Sequence, residues 1–192
     1  MQKKRRKSLI NITKNTIVQL NELEQSIAEA IAVERLNICN NLGIRDRLIN
    51  RSHKSKDIEK EAVAAEMVLC KTLGVYPEFL FDIKPSSKAK GTDKGDLTLN
   101  GFNVDVKYTR YKTGKLFARY KYEGDCIDTY CLITKEDDRT YNIRGFMTSS
   151  DLLQEHRVGT LGVYKDRPCF IAEQKELYDY ETCMKKMLDK AS

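Results

Sequence analysis

Residues 95–110, GDLTLNGFNVDVKYTR, place two alternating runs on either side of the dipeptide Asn100-Gly101. A two-residue turn of type I′ needs a positive φ at both central residues, and Asn-Gly is strongly preferred there. Such a turn fixes the register of the two strands, so that Asp96 faces Asp105 across the pair. The stretch therefore predicts a β-hairpin in which the face of every side chain is known.

The two faces of this hairpin differ in chemistry. Because side chains alternate along a strand, one face is apolar and holds Leu97, Leu99, Phe102, Val104 and Val106. The other face holds Asp96, Thr98, Asn103, Asp105 and Lys107. Directly opposed carboxylates have Cβ atoms roughly 4.5–5.5 Å apart and repel each other. The polar face therefore needs an explanation for its two opposed acids.

A divalent cation is one explanation for Asp96 and Asp105. Two carboxylates this close suit Mg²⁺ or Mn²⁺, which prefer oxygen ligands and keep several waters. The Lys107 ammonium, on the same face, would orient a metal-bound water or stabilise a developing anion. The alternative is an exposed sheet face whose charges only keep it solvated. The hairpin alone leaves both interpretations open.

Composition excludes several classes of protein. No apolar stretch among the 192 residues is long enough for a membrane span, so no membrane partner is expected. Six cysteines without a C-x-x-C pair indicate reduced thiols in a cytoplasmic protein. No Gly-rich phosphate loop and no G-x-S-x-G elbow is present.

Basic residues are concentrated in two places. Five of the net +6 charges fall in the run KKRRK at residues 3–7. The segment KYTRYKTGKLFARYK, residues 107–121, has no acid and interleaves its cations with aromatic residues. Such a strip is typical of a surface that follows a phosphate backbone, although a solvated strand pair would have the same pattern. The candidate nucleic-acid contacts are Arg110, Lys112, Lys115, Arg119 and Lys121.

The periodicity predicts two helices before the hairpin. A long one over residues 15–39 could form an arm, a dimer contact, a lid or a helix packed on the domain. A second runs from Asp57 as N-cap to Leu73, with Gly74 ending it. Glu66 falls on the apolar stripe of this helix, where an ionised carboxylate is costly unless it is paired or bound to metal. Glu59 and Glu61 lie off the stripe and are expected to face solvent.

Strands and short helices follow. Strands are predicted at 79–83, 116–122, 128–134, 141–146 and 169–172, a short helix capped by Thr148 up to about Glu155, and a C-terminal helix over 174–188. We divide the chain into a basic tail (1–12), a helical arm with a basic loop (13–56) and a main domain (57–192). The element order predicts an α/β or α+β fold on a mixed sheet.

Glu66, Asp96 and the tripeptide Asp105-Val106-Lys107 together resemble the PD-(D/E)XK nuclease superfamily. Its pattern is a helical Glu, an Asp at the start of a hairpin and a (D/E)-x-K on the paired strand. The resemblance implies a restriction-endonuclease-like core, with a mixed central β-sheet flanked by helices, plus an N-terminal helical extension. The PD element reads Gly-Asp at residues 95–96, so the proline is absent.

The resemblance also implies roles for the site residues. Asp96, Asp105 and the carbonyl of Val106 would bind Mg²⁺, with Mn²⁺ as a substitute. Lys107 would position the attacking water, and Glu66 would supply a further metal or water ligand. The implied catalytic set is therefore Glu66, Asp96, Asp105 and Lys107.

The framework around the motif is similar to small nuclease-like proteins encoded by bacteriophages. The similarity spans residues 57–172 and is carried by AAEMVLCKTLGVYPE, VDVKYTRYKTGKL, DTYCLIT and YNIRGFMTSSDLL. We therefore expect a metal-dependent nuclease acting on DNA in phage replication, recombination or degradation, in the cytoplasm of the bacterial host. Two alternatives remain: a non-catalytic nucleic-acid-binding or assembly protein, and an interaction protein that forms a homodimer through the N-terminal helix. The sequence does not choose between DNA and RNA, or between endo- and exonuclease.

Overall fold

Four α-helices and eight strands form the part of the chain that the computed structural model describes, residues 12–41, 55–75, 95–119, 126–161 and 164–191. The helices are α1 (Glu22–Asn41), α2 (Ser55–Leu73), α3 (Ser149–Leu152) and α4 (Tyr180–Ala191). The strands are β1 (Thr16–Gln19), β2 (Leu97–Leu99), β3 (Phe102–Thr109), β4 (Leu116–Arg119), β5 (Thr129–Lys135), β6 (Thr140–Thr148), β7 (Val158–Leu161) and β8 (Tyr164–Ala172).

The central sheet has five strands in the order β1-β6-β5-β3-β2. All neighbours are antiparallel except β3 and β5, which run parallel. Parallel neighbours need a long crossover, and here it contains β4, which belongs to a second sheet of order β4-β8-β7. The fold is therefore mixed α+β, with helices flanking a mixed sheet, as the element order predicted.

Each face of the central sheet packs into its own core. Along β5, Cys131 and Ile133 belong to the core that includes α1 and α2. Their neighbours Tyr130 and Leu132 belong to a second core, which includes residues of β4 and β8. Because adjacent side chains point to opposite faces, we call these the helical face and the second-sheet face of the central sheet.

The hairpin forms in the predicted register. Asn100 and Gly101 have φ values of 51° and 86°, as a type I′ turn requires. Leu97 pairs with Val104, and Leu99 with Phe102. The predicted apolar face is also confirmed, since Leu97, Leu99 and Val104 are buried in the core of the helical face.

The predicted helix over residues 15–39 is wrong in its first third. Residues 16–19 form β1, an edge strand that pairs with β6, and α1 starts only at Glu22. The physical reason is an N-terminal capping box, in which the Glu24 N–H donates to Asn21 Oδ1 (2.9 Å) and the Asn21 N–H donates to Glu24 Oε2 (2.6 Å). Residues 12–41 thus contribute a strand to the central sheet rather than an arm, and Ile12, assigned to the tail, is 1% exposed.

Other boundaries also shift. The second predicted helix begins at Ser55, so Asp57 lies in its first turn and not at its N-cap, whereas Gly74 ends it with a φ of 64° as predicted. The predicted C-terminal helix is a 3₁₀ turn at Gln174–Glu176 followed by α4, and the short helix after Thr148 ends at Leu152.

Among the strands, those predicted at 128–134 and 141–146 are confirmed as β5, which is shifted by one residue, and β6, which is three residues longer. β8 extends well before the predicted start at Cys169, and β7 was not predicted. The strand predicted at 79–83 lies outside the described residues, as do residues 120–122 of the predicted strand that begins at Leu116. None of the helices described is long and apolar enough to cross a membrane.

Candidate active site

Asp96 directly precedes β2, and its backbone still bonds to β3. Its N–H donates to the Val104 carbonyl over 2.8 Å. Gly95, just before it, has a φ of 77°, and a Cβ at that position would lie 2.5 Å from the Val104 carbonyl oxygen. Proline, with φ fixed near −65°, cannot adopt this conformation. The turn into the hairpin therefore excludes proline at position 95.

The Asp96 side chain lies at the edge of the sheet. Its Oδ2 accepts a hydrogen bond of 2.6 Å from the Val106 N–H of β3. If β2 were longer, one of its backbone carbonyls would accept this hydrogen bond instead. Burial raises the pKa of Asp96 well above its usual value, and the charges of Glu66 and Asp105 raise it further. Lys107 and the Val106 N–H act in the opposite direction but do not cancel the rise. Three carboxylates are thus close enough to repel one another.

Asp105 and Lys107 form an ion pair on the second-sheet face. The Lys107 ammonium lies 2.7 Å from Asp105 Oδ1 and 2.6 Å from Oδ2. Asp105 is only 7% exposed, whereas the Lys107 side chain is 30% exposed. Their predicted common face is confirmed by this contact, and the alternation with Val104 and Val106 places them opposite the helical face.

Glu66 comes from the helical face and is held by a residue that sequence reasoning missed. Arg35 of α1 donates from both terminal nitrogens to the two Glu66 carboxylate oxygens, each over 2.8 Å. Arg35 also lies 3.5 Å from Glu59, so the expectation that Glu59 faces solvent is wrong. Burial lowers the pKa of Arg35, but its hydrogen bonds to Glu66 and the nearby acids outweigh burial and raise it.

A sequence signal for Arg35 existed. The buried residues of α1 are Ala28, Ile31 and Ala32, and Arg35 continues that stripe at helical spacing. An Arg on the apolar stripe of one helix is the expected partner for a Glu on the apolar stripe of the next.

The structure brings the predicted site residues together in part. The Asp96 carboxylate at the sheet edge accepts from the Val106 N–H, and the charges of Glu66 and Asp105 act on it. Among the residues described, no three His, Cys, Asp or Glu side chains are grouped closely enough to hold a metal ion together. Two carboxylates do fit Mg²⁺, which is usually held by one or two protein carboxylates with water in its remaining positions. Val106 contributes its N–H to Asp96, and its carbonyl stays a predicted ligand.

The residues of the predicted basic strip lie in different surroundings. Lys112 lies 2.9 Å from Glu136, and Lys115 lies 2.6 Å from Glu173. Arg110 instead lines an open cavity of about 350 Å³ on the helical face, and Arg119 is exposed at the end of β4. Lys121 lies outside the described residues.

Glu61, five residues before Glu66 on α2, is the acceptor of a hydrogen-bonded cluster instead of facing solvent as predicted. Its carboxylate accepts hydrogen bonds from the Tyr141 hydroxyl (3.0 Å), the Tyr108 hydroxyl (3.3 Å) and the Lys135 ammonium. The two tyrosine rings meet edge to face, with centroids 6.4 Å apart. Burial and the Glu61 charge raise the pKa of Tyr108 above its usual value. Glu61 is therefore a buried structural acceptor.

No family model matches the chain, and no curated protein and no solved structure matches it either.

Proposed function

We propose that this protein is a metal-dependent nuclease that hydrolyses phosphodiester bonds of DNA. The observation that carries the proposal is the arrangement at one edge of the hairpin, where the Asp96 carboxylate accepts from the Val106 N–H over 2.6 Å and the flanking residues Asp105 and Lys107 form an ion pair of 2.6 Å. The proposal includes the finer fold assignment, a restriction-endonuclease-like core, and action in the host cytoplasm as a phage-encoded enzyme.

Charge supports the need for a cation. Among the described residues, the ion pairs and charge contacts around Asp96 join four acids (Asp96, Asp105, Glu66 and Glu59) and two cations (Arg35 and Lys107), which sum to a formal charge of −2 when every carboxyl is ionised. A phosphodiester, itself an anion, would be repelled by such a surface. Binding of one divalent ion would neutralise the cluster and remove this barrier.

The chemistry assigned to the residues follows from their positions. Asp96 and Asp105 would hold Mg²⁺, or Mn²⁺ in its place, and the ion would supply an activated water and an electrophile for the phosphate oxygens. Lys107 is the more exposed member of its ion pair and would position the attacking water or stabilise the developing negative charge. The neighbouring cations of the basic strip would hold the flanking phosphates.

A second candidate function is an assembly protein that keeps the fold without cleavage. The observation in its favour is apolar exposure near the N-terminus: Leu23 and Ile27, one turn apart on α1, are 69% and 39% exposed, and Ile17 of β1 is 64% exposed. A homodimer through α1 would cover the helical part of this surface.

The test is a cleavage assay on linear duplex, single-stranded and branched DNA and on RNA, each with Mg²⁺, Mn²⁺ or EDTA. Asp105→Ala and Lys107→Ala are compared with Asp138→Ala, which changes an exposed acid in the β5–β6 turn. We expect metal-dependent cleavage of DNA by the wild-type and Asp138→Ala proteins and none by the other two. Cleavage that survives Asp105→Ala would contradict the proposal, and nucleic-acid binding without any cleavage would favour the assembly protein.

A further inference from the structure

The Arg35–Glu66 pair engages both oxygens of the carboxylate that the superfamily pattern assigns to the metal. The two hydrogen bonds are 2.8 Å each, and the side chains are only 15% and 9% exposed. A parallel, two-bond contact of guanidinium and carboxylate is the strongest geometry available to this pair. Glu66 is therefore a charge-paired group and not an open ligand.

The pair also lies in a different direction from the rest of the cluster. Glu66 approaches from the helical face, whereas Asp105 and Lys107 lie on the second-sheet face, and Asp96 lies at the sheet edge with its carboxylate on the Val106 N–H. A cation on Asp96 and Asp105 would feel the negative charge of Glu66 without needing it as a ligand. This agrees with the absence, among the described residues, of three ligating side chains in one group.

We propose that Arg35 is a positioning residue that holds Glu66 outside the coordination sphere, so that the site takes one divalent cation with Asp96 and Asp105 as its carboxylate ligands. This inference rests on the proposed function, since it describes the metal site of that enzyme. Arg35 connects α1 to the site, so the N-terminal segment controls the metal stoichiometry. Were Arg35 to release Glu66, a third carboxylate would become available to the cation.

The experiment measures Mn²⁺ affinity by isothermal titration calorimetry and does not depend on cleavage. Glu66→Gln alone is ambiguous, because it leaves the buried Arg35 charge uncompensated next to the cluster. The double change Arg35→Gln with Glu66→Gln removes one positive and one negative charge, so the cluster keeps its formal charge of −2. The two amides can still hydrogen-bond to each other, and circular dichroism checks that the variant folds.

A matched control exists on the same two helices. Lys60 of α2 and Glu29 of α1 form an ion pair of 3.2 Å. The double change Lys60→Gln with Glu29→Gln removes an equivalent pair of charges without touching Glu66. It reports what loosening the α1–α2 contact does to Mn²⁺ affinity.

We expect one Mn²⁺ per wild-type chain, a loss of affinity of about tenfold or more in Asp105→Asn, and a change below about threefold in both double variants. In Arg35→Lys, which keeps the charge but cannot grip both oxygens, we expect tighter Mn²⁺ binding or a second Mn²⁺. The inference is overturned if the Arg35/Glu66 double variant weakens Mn²⁺ as much as Asp105→Asn does, if the wild-type protein binds no Mn²⁺, or if Arg35→Lys leaves binding unchanged.

Two outcomes distinguish a failure of this inference from a failure of the proposed function. Mn²⁺ binding in the expected pattern without cleavage of any nucleic acid would keep the inference and overturn the nuclease. Metal-dependent cleavage together with Mn²⁺ binding that needs Glu66 would keep the nuclease and overturn the role of Arg35.

Discussion

Two clusters on this protein, one around Glu61 and one around Asp96, differ in the groups that surround the carboxylate. Glu61 on α2 accepts from one ammonium and two tyrosine hydroxyls at the wall of an open cavity. Asp96, at the sheet edge, accepts from a backbone N–H, and burial together with two nearby carboxylates raises its pKa. Among the described residues, hydrogen-bond donors surround Glu61, whereas further acids lie near Asp96.

The comparison shows that burial alone does not distinguish a structural acid from a functional one. Glu61 and Glu66 are five residues apart on one helix, and both are largely buried. Their partners differ: Glu61 is met by donors from β3, β5 and β6, and Glu66 by Arg35 beside a carboxylate with a raised pKa. What separates the two clusters is the balance of charge around each carboxylate.

The largest expected effect is that of Asp96→Asn, which should lower the cleavage rate while it raises the stability of the metal-free protein. Asp96→Asn keeps an oxygen that can accept from the Val106 N–H but removes one repelling charge. We expect cleavage to fall by about a thousandfold or more, roughly 4 kcal/mol in activation free energy. The metal-free protein should meanwhile become more stable by about 1 kcal/mol.

Kinetic assays and urea denaturation in EDTA measure these two changes, and Asp138→Asn serves as the exposed control. A destabilised Asp96→Asn protein would show that the carboxylate is structural, as Glu61 is, and would remove the contrast between the two clusters.

The Glu61 cluster should respond in the opposite way. Glu61→Ala leaves the Lys135 ammonium and the Tyr108 and Tyr141 hydroxyls without their acceptor. We expect a loss of about 3 kcal/mol in the free energy of unfolding, measured by urea denaturation, with the cleavage rate per folded molecule unchanged. Glu22→Ala, whose side chain is 89% exposed in its pair with Arg139, should change stability by less than about 0.5 kcal/mol. A larger fall in the rate of folded enzyme than in stability would place Glu61 in the active site.

A dependence on pH should distinguish the clusters further. The folded-state pKa of Asp96 lies above its unfolded value, so between these two values the folded protein binds more protons than the unfolded chain. In that window the contribution of Asp96 to stability falls as pH rises, and above the folded pKa the loss is complete.

Because other carboxylates, such as Glu136 and Asp151, have lowered pKa values and act in the opposite sense, the quantity to measure is the difference between wild-type and Asp96→Asn stability from pH 4 upward. We expect the advantage of Asp96→Asn to grow with pH in EDTA and to shrink in Mg²⁺. An advantage that is independent of pH would contradict the charge-repulsion account.

The smallest effects concern the basic strip. Lys112 and Lys115 are already paired with Glu136 and Glu173. We therefore expect each lysine to displace less than one counterion from the DNA when it binds a phosphate. We expect Lys112→Ala or Lys115→Ala to lower the slope of log affinity for DNA against log salt by less than the roughly 0.9 of a full phosphate contact. Arg119→Ala, at the exposed end of β4, should approach that value. Equal changes in all three slopes would show that the acids release their lysines on binding.

Local signals predicted the elements that depend on local geometry. The Asn100-Gly101 pair determined the turn, and two-residue periodicity then determined the register and the face of Asp105 and Lys107. Gly74 likewise ended α2, because its positive φ is accessible to glycine without strain. The strand β1 was misread as helix although Thr16, Ile17 and Val18 are all β-branched and favour a strand, and it forms by pairing with β6.

Most partners between distant elements could not be predicted from the sequence. The Arg35–Glu66 pair had a signal in the apolar stripes of α1 and α2, but nothing in the spacing of Glu61 shows that Lys135 and two tyrosines meet it. These contacts join residues 31 to 80 positions apart, and they form only when α1 and α2 pack on the central sheet. The sequence by itself determined the hairpin and the acids it carries, because turn chemistry and alternation act over a few residues. Only the tertiary structure decided which acids are neutralised, because charge compensation depends on which side chains packing brings within a few ångströms.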